Sequence, residues 1–298
     1  MAVEELESPP SLATMYPRAL TGALTELPRK LPGLRRGGEP ELPDLELAVH
    51  DVEIDREHLA HYDHVCGFRV RDELPPTYLH MVAFPLQMKI MTDGSFPFPV
   101  MGLVHIENRI EQKRWISAGE TLDFKVRTDN LRDHDRGLAF DLVADASAGG
   151  EPVWHSESTY LRRQGGGGGS SSDSDKKSEP PEPHAFWKVP DDIGRRYASV
   201  SGDINPIHMH SLSAKLFGFP SAIAHGMWLK ARCLAALEGE LPAALRVEVA
   251  FKLPLLLPSK VAFADWPADG GREFAVHDAR SGKPHLTGQV RPAMTDRT

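Results

Sequence analysis

The chain has 298 residues, 41% of them hydrophobic and 26% charged, which supplies an ordinary core and suggests more than one domain. A formal net charge of -8 excludes the basic field that non-specific nucleic-acid binding needs, and the short basic stretch 27–36 reads only as a solvated arm. Two cysteines make no disulfide framework, the N-terminus lacks a hydrophobic signal core, and no apolar run is long enough to span a bilayer, so a soluble protein of the reducing cytoplasm is expected.

Residues 1–45 read as an N-terminal arm, and residues 46–164 as the first domain. Within it, residues 79–92 are apolar on nearly all sides (Met81, Val82, Phe84, Leu86, Met88, Ile90, Met91), as in a helix buried on most faces. Pro85 is expected to bend or interrupt it, and Gly94 and Pro97 to end it. Residues 104–110 follow as a half-buried strand, with Val104, Ile106 and Ile110 on one face and His105, Glu107 and Arg109 on the other. Further strand-like pieces occupy 121–128, 137–144 and 153–162.

The stretch 165–183, GGGGGSSSDSDKKSEPPEP, cannot bury enough apolar surface to order itself and reads as a flexible linker. Residues 184–298 then repeat the pattern of the first half. A helix is expected over 222–238, stopped by Gly239 and Pro242. A strand over 246–253 places Val247, Val249, Phe251 and Leu253 on its buried face, opposite Arg246, Glu248 and Lys252. Strands over 260–265, 272–278 and 285–291 complete the half. A buried helix followed by antiparallel strands, twice over, predicts an α+β chain built as two sheets wrapped around two helices.

Chemistry concentrates in 197–208, YASVSGDINPIH, and in His225-Gly226-Met227. Ser201-Gly202-Asp203 and Asn205-Pro206 are turn residues, so this segment is expected to be a loop rather than a helix interior. It carries a carboxylate, Asp203, and an imidazole, His208, five residues apart on backbone stiffened by Pro206. Such a pair can hold a water and divide proton removal from proton delivery. Gly226 falls near the start of the expected helix, where its N–H would lack an intrahelical acceptor and could face an oxygen gaining negative charge. Acid, base and oxyanion donor together are what adding water across an α,β-unsaturated carbonyl requires.

YASVSGDINPIHMH, then AHGM, then FKLP resembles the MaoC-like, or hydratase 2, family of hot dog proteins, over about residues 197–291. The first half resembles the degenerate half of two-domain members. There Val65-Cys66-Gly67-Phe68 stands where the second half has Val200-Ser201-Gly202-Asp203, without the aspartate or the NPIH. The resemblance implies a double hot dog fold and reversible dehydration of (3R)-hydroxyacyl thioesters to trans-2-enoyl thioesters. It implies that Asp203 and His208 hold the catalytic water and that the Gly226 N–H bonds the thioester carbonyl. Asn205, Tyr197 and His225 are expected to support the loop or touch substrate. No metal and no organic cofactor are implied. The substrate would ride on coenzyme A or on acyl carrier protein, and a homodimer of such chains would suit the family. The degenerate half would widen the cleft for an acyl chain. A serine that some single-domain members carry on the central helix is replaced here by Leu234.

Other readings of the same residues compete. His208, His210 and His225 could suggest a zinc site, but no cysteine or carboxylate cluster in the sequence accompanies them. Cys233 reads as inert core and Cys66 as a thiol without an activating neighbour. A hot dog thioesterase or a non-catalytic acyl-thioester-binding partner subunit are the alternative functions. A basic patch for a carrier protein would draw on Arg195, Arg196, Lys215 and Lys230.

Overall fold

A computed structural model describes residues 2–12, 14–17, 19, 39–163 and 181–293. The basic stretch 27–36 and residues 165–180 of the expected linker lie outside the described residues. The strands are β1 (Ala2–Leu6), β2 (Leu45–Val52), β3 (Leu103–Gln112), β4 (Leu122–His134), β5 (Gly137–Ala148), β6 (Glu151–Arg163), β7 (Ala185–Val189), β8 (Leu245–Phe251), β9 (Ser259–Ala268), β10 (Gly271–Asp278) and β11 (Pro284–Pro292). The helices are α1 (Arg56–Cys66), α2 (Tyr78–Met91), α3 (Ile193–Ser201), α4 (Pro206–Met209), α5 (Ser211–Leu216) and α6 (Gly226–Ala236).

The strands form one 11-stranded sheet in the order β1-β2-β4-β5-β6-β3-β8-β11-β10-β9-β7. Counting inward from each edge of the repeat, β2-β4-β5-β6-β3 and β7-β9-β10-β11-β8 use equivalent strands in the same order. The repeat seen as hydrophobic pattern is therefore a repeat of topology: two hot dogs, α2 and α6 their central helices, joined where β3 pairs antiparallel with β8. This is the double hot dog fold.

Helix α2 is buried along almost its whole length, as its all-round apolar sequence dictates. It runs unbroken through Pro85, against the expectation of an interruption. Proline removes one backbone donor, and a helix buried on every side keeps its course through packing. Helix α6 is shorter than expected, from Gly226 to Ala236, and a 3-10 turn at Glu238–Glu240 follows. In β8, Val247 and Val249 point inward as alternation predicts, but the strand stops at Phe251 and Leu253 lies exposed beyond it. In β3 a register shift between His105 and Glu107 breaks the alternation. Asn108, Ile110 and Gln112 face the core after it. Before it His105 turns inward, stacked on Tyr160 with ring centroids 4.6 Å apart, rather than facing outward with Glu107 and Arg109.

Described residues of the N-terminal arm pack against the rest of the fold. Strand β1 pairs parallel with β2, Lys89 meets Glu4 at 3.0 Å, and Met15, Tyr16 and Ala19 are buried in the core.

Candidate active site

Helix α3 and helix α1 occupy equivalent places in the two halves and pack against each other. Each ends on a glycine in the left-handed conformation, Gly67 at φ 86° and Gly202 at φ 71°, where a side chain would be strained. The correspondence between Val65-Cys66-Gly67-Phe68 and Val200-Ser201-Gly202-Asp203 thus extends to the backbone. After Gly67 the first half continues with Phe68, buried; after Gly202 the second half continues with Asp203. The expected loop over 197–208 needs correction: Tyr197 to Ser201 form the end of α3, and His208 sits on the helical turn α4. Only 202–205 is loop, because the glycine stops one helix and Asn205-Pro206 starts the next.

That short connection is held on all sides. The Asn205 side chain caps α4 by accepting from Ile207 N at 3.3 Å, and the Asn205 backbone N–H donates to Asp203 Oδ1 at 3.2 Å. Arg195 reaches from α3 to Met209 O at 3.2 Å. Gly194 lies so close to the His208 carbonyl that a Cβ there would stand 2.0 Å from its oxygen. These contacts fix where the carboxylate and the imidazole stand.

Asp203, His208 and His225 come together, each offering a ligand or proton-transfer atom within 4.8 Å of the others. The His208 Nδ1–H donates to Ile223 O at 2.8 Å, which leaves Nε2 as the free, unprotonated nitrogen. His225, the residue before α6, stacks on His208 with centroids 3.7 Å apart. Its Nε2–H donates to the Asp203 backbone carbonyl at 3.0 Å and lies 3.7 Å from Oδ2. Asp203 therefore supplies the carboxylate absent from the zinc reading of the sequence. With its Nε2–H engaged as a donor, His225 keeps Nδ1, buried and without a hydrogen-bond partner, as its lone pair. His210, the other histidine of that reading, is exposed.

Electrostatics set the protonation states. Burial raises the Asp203 pKa, but His225, His208, the Tyr16 hydroxyl and the Asn205 N–H outweigh it and hold the carboxyl below its usual range. Burial lowers His208 despite the opposing pull of Asp203. Burial and His208 push His225 down to about 3. At neutral pH the site holds a carboxylate and two neutral imidazoles.

Gly226 opens α6, so its N–H is one of the four that lack an acceptor within the helix. The Phe251 ring covers it, and a Cβ at this position would stand 3.0 Å from the ring carbons. Tyr197 is buried beside His225, with ring centroids 4.9 Å apart.

Several residues near the site were not singled out from sequence. Tyr16 donates its hydroxyl to Asp203 Oδ1 at 2.7 Å from 187 positions away, a contact no local pattern could announce. His80 on α2 is buried, His105 on β3 is half-buried with its Nε2 enclosed, and both feel the charge of Asp203. Burial and the nearby Lys230 lower His80 to about 3. The inward turn of His105 depends on the irregularity in β3, and His80 is an isolated polar residue in an apolar helix. That isolation was the available signal. Cys66 and Cys233 are both buried, and burial pushes both thiols up. Lys230 is fully enclosed and unavailable to any docking patch, whereas Lys215 is exposed and Arg195 and Arg196 are half-buried.

Comparison with known proteins agrees with this architecture. The MaoC-like domain family matches residues 174–287. The 3-hydroxyacyl-thioester dehydratase X of Mycobacterium tuberculosis is 39% identical over 276 residues, which cover 92% of this chain and 95% of that protein. The crystal structure of HtdX of M. tuberculosis, 38% identical, superposes with a TM-score of 0.75 over 83% of this chain and 100% of the other. A MaoC-like dehydratase from Phytophthora capsici shares the fold at a TM-score of 0.68 and 18% identity, over 86% of this chain and 96% of its own. No helix among the described residues is long and apolar enough to cross a membrane. Pattern, topology and sequence identity converge: the chain belongs to the MaoC-like dehydratases, hydro-lyases on the double hot dog fold.

Proposed function

We propose that the protein interconverts (3R)-hydroxyacyl thioesters and trans-2-enoyl thioesters, with Asp203 and His208 acting on a shared water. The observation that carries this reading is the tautomer of His208. Its Nδ1–H is committed to Ile223 O, so Nε2 is a free base, beside an ionised Asp203 and close to the unpaired N–H at Gly226. In hydration the water bonds to C3 through its oxygen and gives a proton to the dyad. The electron pair of the double bond moves into the thioester, whose oxygen takes up negative charge against the Gly226 N–H. Such a donor accounts for about 10²–10³ in rate. The dyad then returns the proton to C2. In dehydration His208 takes the C2 proton, the thioester oxygen holds the resulting negative charge, and the dyad passes that proton to the departing 3-hydroxyl, which leaves as water held by Asp203.

Support also comes from what the mycobacterial relative is named for, dehydration of 3-hydroxyacyl thioesters, at 39% identity over nearly its whole length. The apolar first half, with α2 along its axis, suits the acyl chain. A chain that only bound thioesters would have no use for both members of the dyad.

The test is hydration of a trans-2-enoyl-CoA series by purified protein, followed at the enoyl chromophore, with product handedness determined. Formation of (3R)-hydroxyacyl-CoA is expected. A (3S) product would overturn the stereochemical assignment, and release of free thiol without water addition would establish the thioesterase instead.

A further inference from the structure

The catalytic carboxylate is gripped by a segment outside both hot dog repeats. Leu12 approaches the end of α3 so closely that a Cβ on Gly202 would stand 2.1 Å from its Cδ1. Met15 and Tyr16 are buried, at 4% and 5% exposure, although this segment precedes the first repeat and its own sequence is not strongly apolar. Tyr16 sends its hydroxyl to Asp203 Oδ1 at 2.7 Å, the oxygen that also accepts the Asn205 N–H at 3.2 Å. With Oδ1 doubly engaged, the carboxylate cannot rotate freely, and Oδ2 is the oxygen left on the imidazole side, 3.7 Å from His225 Nε2. Asp203 itself keeps 26% of its side chain exposed, so Tyr16 does not seal it.

From this geometry we infer that Tyr16 is a positioning residue for the water-adding reaction: the N-terminal segment delivers a phenol that fixes the Asp203 carboxylate so that Oδ2 faces the reacting water. The inference rests on the proposed role of Asp203. Tyr16 need not touch the substrate. It acts by limiting the carboxylate to one orientation and by stabilising its charge through a charge-assisted hydrogen bond. The active site would then be incomplete in either repeat alone, since the segment before the first repeat serves the catalytic residue of the second.

The test compares wild type, Tyr16→Phe, Leu12→Ala and Asp203→Asn in steady-state hydration of a trans-2-enoyl-CoA across pH, with thermal unfolding as a check on folding. Tyr16→Phe keeps the ring and removes only the hydroxyl, so the fold is expected to survive. Its kcat should fall about tenfold, the worth of one hydrogen bond to a charged group, with little change in KM. The limb of its kcat profile that reports Asp203, distinct from the His208 limb, should also move to higher pH, because the carboxylate loses a partner that favours ionisation. The other titratable groups facing Asp203 are His208 and His225, Tyr197 of α3, Tyr160 of β6, His80 of α2 and His105 of β3, and the substitution leaves all of them in place. Leu12→Ala, which loosens the segment and keeps the phenol, should give a smaller loss in the same direction. Wild-type kcat and Asp203 limb in Tyr16→Phe would overturn the inference. So would a rise in kcat in either variant, which would mark the segment as an obstruction. Wild-type turnover in Asp203→Asn would instead remove the role of Asp203 on which the inference stands.

Discussion

At the residue scale, the proposed chemistry depends on a neutral imidazole that burial keeps neutral. His208 lies below its usual 6.5 because desolvation outweighs the pull of Asp203, and only the neutral form can take a proton. The sign follows directly. Activity is full above the His208 pKa and is lost as pH falls through it, so the acid limb of kcat/KM should lie below 6.5. His208→Gln keeps a polar side chain but removes the base, and should lower kcat by about 10²–10⁴. A wild-type acid limb above 6.5, or a glutamine variant of near-native rate, would contradict the assignment. The residues of this mechanism were legible because they are close in sequence: Asp203, Asn205 and His208 span one tight turn. Tyr16, His80 and His105 were not, because long-range contacts or an irregular strand bring them to the site.

At the element scale, the seam between the halves holds an uncommon contact. Lys230 on α6 is fully enclosed, with its Nζ 2.5 Å from Asn108 Oδ1 and 3.3 Å from both Asn108 O on β3 and Val247 O on β8. Asn108 in turn donates to Ser156 and Ser158 on β6. None of the hydrogen-bond acceptors around Lys230 is a carboxylate, and burial drives its pKa well below 10.5 with only Glu248 opposing. Between that lowered value and 10.5 the unfolded chain holds a proton that the folded chain lacks, so this lysine's contribution to stability rises with pH across the window. The slope is at most about 1.4 kcal/mol per pH unit. The stability difference between wild type and Lys230→Met should therefore grow in favour of wild type as pH rises towards 10.5, as read from urea midpoints. A difference that stays flat would show that the amine is charged in the fold. Naming Lys230 as a candidate for a carrier-docking patch follows its charge and overlooks its position one turn after Gly226 on a buried helix. The other elements followed their chemistry more closely. The alternation in 246–249 located β8, and apolarity on every side located α2, although the course of α2 through Pro85 was set by packing that no local rule contains. Helix α1 escaped notice despite its Asp55 cap and Gly67 stop, because its polar composition hides the single stripe that it buries.

At the scale of the whole molecule, the two halves share one architecture and differ at the proposed site. Both halves keep the strand order, the central helix and the glycine-terminated helix before the site. Only the second follows that glycine with Asp203 and the NPIH turn; the first places buried Phe68 there. Pairing of β3 with β8 fuses the halves into one sheet, and Lys230, Asn108 and Trp228, whose Nε1–H donates to Val65 O at 3.1 Å, tie the catalytic half to the other. On the proposed mechanism the first half supplies surroundings rather than acid or base. The repeat was visible in the sequence because hydrophobic periodicity does not depend on the site residues, whereas the route of the N-terminal segment into the site was not. The most direct test of the central claim is the rate of trans-2-enoyl-CoA hydration by Asp203→Asn beside wild type, at equal folded concentration. The account predicts that wild type forms (3R)-hydroxyacyl-CoA and that the asparagine variant, isosteric but unable to hold or accept the water's proton, is slower by about 10² or more while still binding the thioester. Equal rates in the two proteins would contradict it.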